Sequence, residues 1–289
     1  MEEYGKILKR IRLEKGLTQK ELSAGILSRS HLSELENGNY YCSFDKFLQL
    51  LRRLNVSLHE FDLCLKESIY QKDFQRKIKI EAAVNAHDIA KIKHLLTKIP
   101  IVDEKNLRIQ HEKLLLEAII EYHQNHRIIH HTRYQEILDY LSRVSEWGIY
   151  ELNLLANFLF IFDMDTLPLI TQQIYKKVNK KNNSDEYIYL YLRLLINLSD
   201  FYLKNLDYQT CQEIVQQAIS IAYQKNNLFE LTMAKIHFYL ADILKTQQIH
   251  PNLTLYRQYL ESLGFVELST MIQEDIHYYI NIANNKKNN

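Results

Sequence analysis

This sequence predicts an all-α fold. Its 289 residues include only six glycines and three prolines, which leaves little turn chemistry for strands. Amphipathic segments of helical length follow one another along most of the chain, with apolar residues returning every three or four positions. Cap residues stand ahead of apolar runs, Thr18 and Ser28 first among them.

The elements read in order as follows. Ile7, Leu8 and Ile11 give a first helix its buried stripe, and Gly16 suits its C-terminal stop. Thr18 caps the next helix, with Glu21 three residues later as a capping box requires. Leu22 and Ile26 bury that helix. Ser28 caps a third helix with Leu32 and Leu35 inside, and Asn37-Gly38 ends it. Two short helices joined by a brief turn form a helix-turn-helix, in which one helix braces and the next enters the major groove.

The third helix would present Arg29, Ser30, His31 and Ser33. Arg29 suits a phosphate or a guanine edge, while His31 and Ser33 are sized for base or phosphate contacts. Ser28 stands at its start, and Gln19 is placed to bond a phosphate at the second helix. Residues 1–62 carry ten Lys or Arg against nine Asp or Glu, a net +1. The basic residues cluster, however: Lys6, Lys9, Arg10, Arg12 and Lys15 fall in the first helix, with Lys9 and Arg10 as candidate backbone contacts.

Residues 16–38 resemble the Xre/Cro-type helix-turn-helix, through Gly16-Leu17-Thr18-Gln19, Leu22, Ser28, Ser30, Leu32, Ser33, Leu35, Glu36 and Gly38. The resemblance continues through Phe44, Phe47, Leu48, Leu51, Leu54, Val56 and Phe61, the last two helices of a five-helix domain. Two features depart from it. The turn between Leu22 and Ser28 is one residue short, and Glu34 stands where a basic residue is common.

Length gives a prior of about two domains, and 46% hydrophobic residues can bury a full core. A formal net charge of +1 argues against a polyanion-binding tail or a membrane-surface protein. The acidic Met1-Glu2-Glu3 start is unlike a signal peptide, and no apolar run of membrane-spanning length appears. Three scattered cysteines suit a reducing cytoplasm.

The boundary is placed after residue 65, giving a DNA-binding domain at 1–65 and a helical domain at 66–289. Helices are expected near 72–84, 87–98, 104–125, 132–144, 147–162, 166–181, 185–204, 207–224, 227–246, 252–263 and 265–284. Pro100, Pro168 and Pro251 fall at their edges, where proline is tolerated. Paired helices of this length suggest an α-solenoid of degenerate tetratricopeptide-like pairs. Asp207-Tyr208 opening a helix, with Cys211 and Ala218 as small packing positions, supports one such unit. An irregular helical bundle fits the composition too.

Trp147-Gly148-Ile149-Tyr150-Glu151-Leu152 with Asn157 resembles a segment of the Rgg/GadR/MutR regulators, as do the short turn, Cys42-Ser43 and Leu263-Gly264-Phe265. That resemblance implies a cytoplasmic homodimer that binds promoter DNA, and whose C-terminal repeats dimerise and hold a short signalling peptide on a concave face. Such a peptide could act by repositioning the two DNA-binding domains or by changing contact with RNA polymerase. Asn and Arg side chains satisfy a peptide's backbone and aromatic walls take its side chains. Asn153, Asn157, Arg193 and Asn197 are the candidates for the first role, and Tyr150, Tyr187, Tyr189 and Tyr191 for the second.

Other signals weigh less. His123, His126 and His130 would share a helix face, with His131 beside them, as a metal or pH site, but a solvated face explains them as well. Cys42 is either a small packed residue or a redox contact between two DNA-binding domains. No GxGxxG, P-loop, HExxH or paired CxxC occurs, so neither an enzyme nor a cofactor is expected. Two rivals remain: a helix-turn-helix regulator answering another ligand or a protein partner, and a helical-repeat scaffold without DNA binding.

Overall fold

A computed structural model describes residues 2–68, 71–86, 88–99, 106–178 and 184–285. Pro100 and the expected helix ends at 87, 104–105 and 179–181 lie outside the described residues. The chain divides into two compact units, Met1–Lys98 and Ile99–Asn289.

In the first unit α1 (Glu2–Glu14), α2 (Gln19–Ser23), α3 (Arg29–Glu36), α4 (Phe44–Arg53) and α5 (Leu58–Ser68) surround one apolar core. Leu8, Leu22, Leu32, Leu50, Leu51 and Leu54 are fully buried there. Each such side chain contributes about 1.5–3 kcal/mol relative to exposure. That core ends at Leu65, while α6 (Gln71–Asn85) and α7 (Ile89–Thr97) complete the unit.

Local chemistry sets these helices. Thr18 Oγ1 accepts from the Glu21 N–H, and Glu21 accepts back from the Thr18 N–H at 2.7 Å, a complete capping box. Ser28 Oγ accepts from the His31 N–H. The short turn between α2 and α3 relies on Gly25 at φ +71°, a conformation that costs glycine little. Arg53 of α4 donates to the carbonyls of Glu21, Leu22 and Ala24, satisfying the end of α2 that has no helical partners.

The second unit holds α8 (Leu107–Asn125), α9 (Gln135–Arg143), α10 (Ile149–Phe158), α11 (Leu167–Lys177), α12 (Asp185–Lys204), α13 (Tyr208–Gln224), α14 (Leu228–Thr246), α15 (Pro251–Ser262) and α16 (Val266–Asn285). Short 3-10 turns at His131–Tyr134 and Leu159–Ile161 precede α9 and follow α10. No strand forms among the described residues; an isolated bridge joins Trp147 and Val178.

Successive helices pack as neighbours, α12 on α13 and α13 on α14, and alternate ones also touch, α12 with α14 and α14 with α16. That is the pattern of stacked helix pairs. Small buried residues, Cys211, Ala218 and Ala222 on α13 with Ala234 and Ala241 on α14, let the backbones approach. α12 is the centre: eleven of its residues are buried, on nearly every side. Trp147 is buried just before α10, its indole N–H donating to the Leu141 carbonyl at 3.2 Å.

Candidate DNA-reading helix and peptide-binding cavity

The first unit carries α3 on a fixed mount. Arg12 of α1 donates from Nε and Nη2 to both carboxylate oxygens of Glu36, at 2.6 and 3.0 Å, and both side chains are buried. Gly5 makes the approach possible, because a Cβ there would run into the Leu35 carbonyl oxygen. Arg12 also donates to the Leu17 carbonyl at 2.7 Å. It therefore joins α1, α3 and the start of α2, and it leaves the basic cluster that the sequence placed on the surface.

Arg29, Ser30 and His31 are exposed along α3, and Ser33 is half-buried. His31 stacks flat on Tyr40, with ring centroids 4.6 Å apart. Ser28 is engaged as the cap and pairs with Ser30 at 3.0 Å. Gln19 donates its amide to Glu36 at 2.9 Å instead of standing free for a phosphate. Arg29 and Lys20 line a small depression with Thr18 and Gln19. Lys9 and Arg10 are exposed on α1, with Arg10 3.9 Å from Glu14.

Cys42 is half-buried and its thiol is free. Burial pushes that thiol up, which lowers its thiolate fraction and its readiness to oxidise.

In the second unit the polar candidates come together. Arg193 of α12 donates to Asn157 Oδ1 at 2.9 Å, and Asn157 donates to Asn153 Oδ1 at 3.3 Å on α10. Asn197 donates to the Ala156 carbonyl at 3.3 Å. On α12, Tyr189, Arg193, Asn197, Asp200 and Lys204 recur at helical spacing and form one polar strip. Its far end opens on a cavity of about 870 Å³, lined by Asn197, Asp200, Phe201 and Lys204 of α12, Phe160 and Phe162 after α10, and Tyr122, His126 to Ile129 and His131 around the end of α8.

The tyrosine expectations need correction. Tyr187 is 1% exposed and donates its hydroxyl to the Trp147 carbonyl at 3.0 Å, so it holds α12 to the segment leading into α10 rather than walling a groove. Tyr191 is buried too, its hydroxyl accepting from Gln217 at 2.8 Å. Tyr189, by contrast, is 47% exposed. Tyr150 is half-buried in a cluster: its hydroxyl lies 2.7 Å from His111 Nδ1, Arg108 sits over its ring, and burial raises its phenol to about 12.

The histidine face also differs. α8 ends at Asn125, and His126 turns into the left-handed region at φ 56°, so His126 and His130 leave the helix. The turn is held by Glu121, whose Oε1 accepts from the N–H groups of Ile129 and His130 at 2.5 and 2.8 Å and whose Oε2 accepts from the Tyr134 hydroxyl. Burial pushes the Glu121 carboxyl up, but these donors outweigh it and hold the group at about 2. Among the described residues no three His, Cys, Asp or Glu side chains are arranged to hold a metal. No described helix is long and apolar enough to cross a membrane.

An exposed recognition helix on a buried mount, followed by stacked helix pairs with a polar strip, defines a helix-turn-helix transcription regulator. Family comparison agrees: residues 8–61 match a helix-turn-helix model, and residues 93–277 match the C-terminal domain of HTH-type transcriptional regulator Rgg. The chain belongs to the Rgg family of transcriptional regulators.

Solved structures share the fold across nearly the whole chain. A Listeria monocytogenes EGD-e protein described as a transcriptional regulator is 21% identical, with a TM-score of 0.83 over 97% of this chain and 98% of that one. The Streptococcus dysgalactiae SHP pheromone receptor Rgg2 is 21% identical, with a TM-score of 0.76 over 95% of this chain and 99% of its own. A bacterial peptide pheromone receptor in complex with its pheromone is 16% identical, with a TM-score of 0.70 over 96% and 98%.

Proposed function

We propose that this regulator binds promoter DNA as a cytoplasmic homodimer and is controlled by a short signalling peptide held in the second unit. The domain of residues 1–65 reads the operator, and the sites for the peptide and the partner subunit fall within residues 66–289. The observation that carries the peptide reading is the polar strip. Arg193, Asn157, Asn153 and Asn197 stand in line on two helices, half-buried, with hydrogen-bonding capacity to spare for an extended backbone. Tyr189 stands at one end of that line, and the cavity of about 870 Å³ at the other has the size of a ligand pocket. The peptide receptors that share this fold support the same reading.

The dimer reading rests on an apolar patch. Phe229 and Phe265 are exposed with ring centroids 5.7 Å apart, and Leu228, Leu263 and Val266 beside them in the chain are exposed too. Apolar surface gathered in this way marks an interaction site. Dimerisation doubles the phosphate contacts that a domain of net charge +1 makes weakly alone.

Affinity selection of a random octapeptide library on the full-length protein tests the peptide reading, with fluorescence polarisation of the winners. Retained peptides that lose affinity on Arg193→Ala support it. A library that yields no binder favours a regulator answering another ligand.

A further inference from the structure

We propose that the cavity beside the end of α8 receives an anionic group of the peptide, and that Arg127 is the side chain that pairs with it. This rests on the peptide reading above. Charge complementarity points to this occupant. The cavity wall is largely apolar, with Ile128, Ile129, Leu159, Phe160, Ile161, Phe162 and Phe201. Its carboxylates are already engaged. Asp163 accepts from the Thr166 N–H at 2.9 Å and from the Thr166 hydroxyl at 2.8 Å, and His131 stands near it. Asp200 pairs with Lys204 at 2.7 Å, and Asp275 of α16 faces the same pair.

Arg127 differs. It lines the cavity, is exposed, and makes no hydrogen bond or ion pair with a described residue. An unpaired guanidinium at an apolar wall suits a carboxylate, which it can hold through two parallel N–H donors. The turn that carries it is fixed from behind by Glu121, so Arg127 is presented rather than left to wander. His126 and His131 flank it on the same wall.

A peptide offers a carboxylate from two sources, its C-terminus or an Asp or Glu side chain. Selection with two octapeptide libraries, one free-acid and one C-terminally amidated, separates them on full-length wild type and Arg127→Ala. Preference for the free-acid library assigns the C-terminus; enrichment of Asp or Glu in the amidated library assigns the side chain. Either preference should vanish in Arg127→Ala, with affinity for the selected peptides falling about 10- to 100-fold. Arg127 is exposed and bonds no described residue, so the variant should fold as the wild type does, and an unchanged circular dichroism melt checks this. Peptides bound equally well as acid and amide, with no acidic enrichment, overturn the proposal while the peptide reading stands. Arg127→Ala that keeps full affinity and preference overturns it too. No binder from either library overturns the peptide reading, and this proposal with it.

Discussion

Arg12 and Glu36 meet through two parallel hydrogen bonds of 2.6 and 3.0 Å inside the first unit, and this pair joins α1 to the end of the recognition helix. Removing one partner leaves a buried charge uncompensated. Glu36→Gln should therefore cost about 3–5 kcal/mol, read as a lowered urea midpoint for the first unit. The double replacement Arg12→Met with Glu36→Leu should recover most of that loss, because it removes both desolvation penalties together. A double variant as weak as the single one would show that the loss comes from the missing pair itself and not from an uncompensated buried charge.

Arg29 is the exposed basic residue on α3. Arg29→Ala should weaken operator binding and reduce the salt dependence by about one released counterion if the contact is to phosphate. If Arg29 reads guanine, the loss falls on one base position and costs about 1–3 kcal/mol there. Anisotropy titrations over a salt series, with a panel of single-base operator variants, distinguish these two outcomes from no role at all.

The line Asn153–Asn157–Arg193 predicts a contrast with Tyr187. Arg193→Ala and Asn157→Ala should each lower peptide affinity about tenfold, since each removes a roughly 1.5 kcal/mol bond to a polar backbone. Tyr187→Phe should leave peptide affinity unchanged and lower stability by about 1 kcal/mol through loss of the bond to Trp147. Peptide titrations paired with thermal melts of the three variants test the division.

Glu121 predicts a pH dependence. Its folded value, about 2, lies below the ordinary carboxylate value of 4.5. The stability it contributes is therefore complete above about pH 4.5 and fades as pH falls towards 2. Glu121→Gln should lower the urea midpoint of the second unit at pH 7, and the gap from wild type should narrow below pH 4.5. A gap that stays constant from pH 7 to pH 3 would contradict the role given to this carboxylate.

What the sequence made legible was local. The capping box at Thr18 and Glu21, the Ser28 cap and the helix spans from α12 to α16 depend on residues within a few positions of each other, and the structure has them within one or two residues. Arg193, Asn157 and Asn197 were candidates for their side-chain chemistry, and only the fold brings them together from two helices. Arg12 and Glu36 are 24 positions apart, so periodicity could only place Arg12 among its basic neighbours. The tyrosines of α12 misled because that helix is buried on most sides, and a helical wheel then marks no unique inner face. The left-handed stop at His126 depends on Glu121 reaching eight residues forward to Ile129, and no local rule signals it.

The exposed patch near Phe229 and Phe265 predicts the oligomer. Phe265→Asp should shift the full-length protein from dimer to monomer in analytical ultracentrifugation, and operator affinity should fall with it. A variant that remains dimeric would place the interface elsewhere.

A peptide bound in the second unit should change what the first unit does on DNA. In vitro transcription from a promoter recovered by selecting genomic fragments on the protein tests it directly, with and without a library-selected peptide, and with operator affinity measured in parallel. Peptide should change transcript yield or operator affinity about 5- to 150-fold, the range of a coupling of about 1–3 kcal/mol, and Arg193→Ala should abolish the change. Tight peptide binding that alters neither quantity would contradict this coupling.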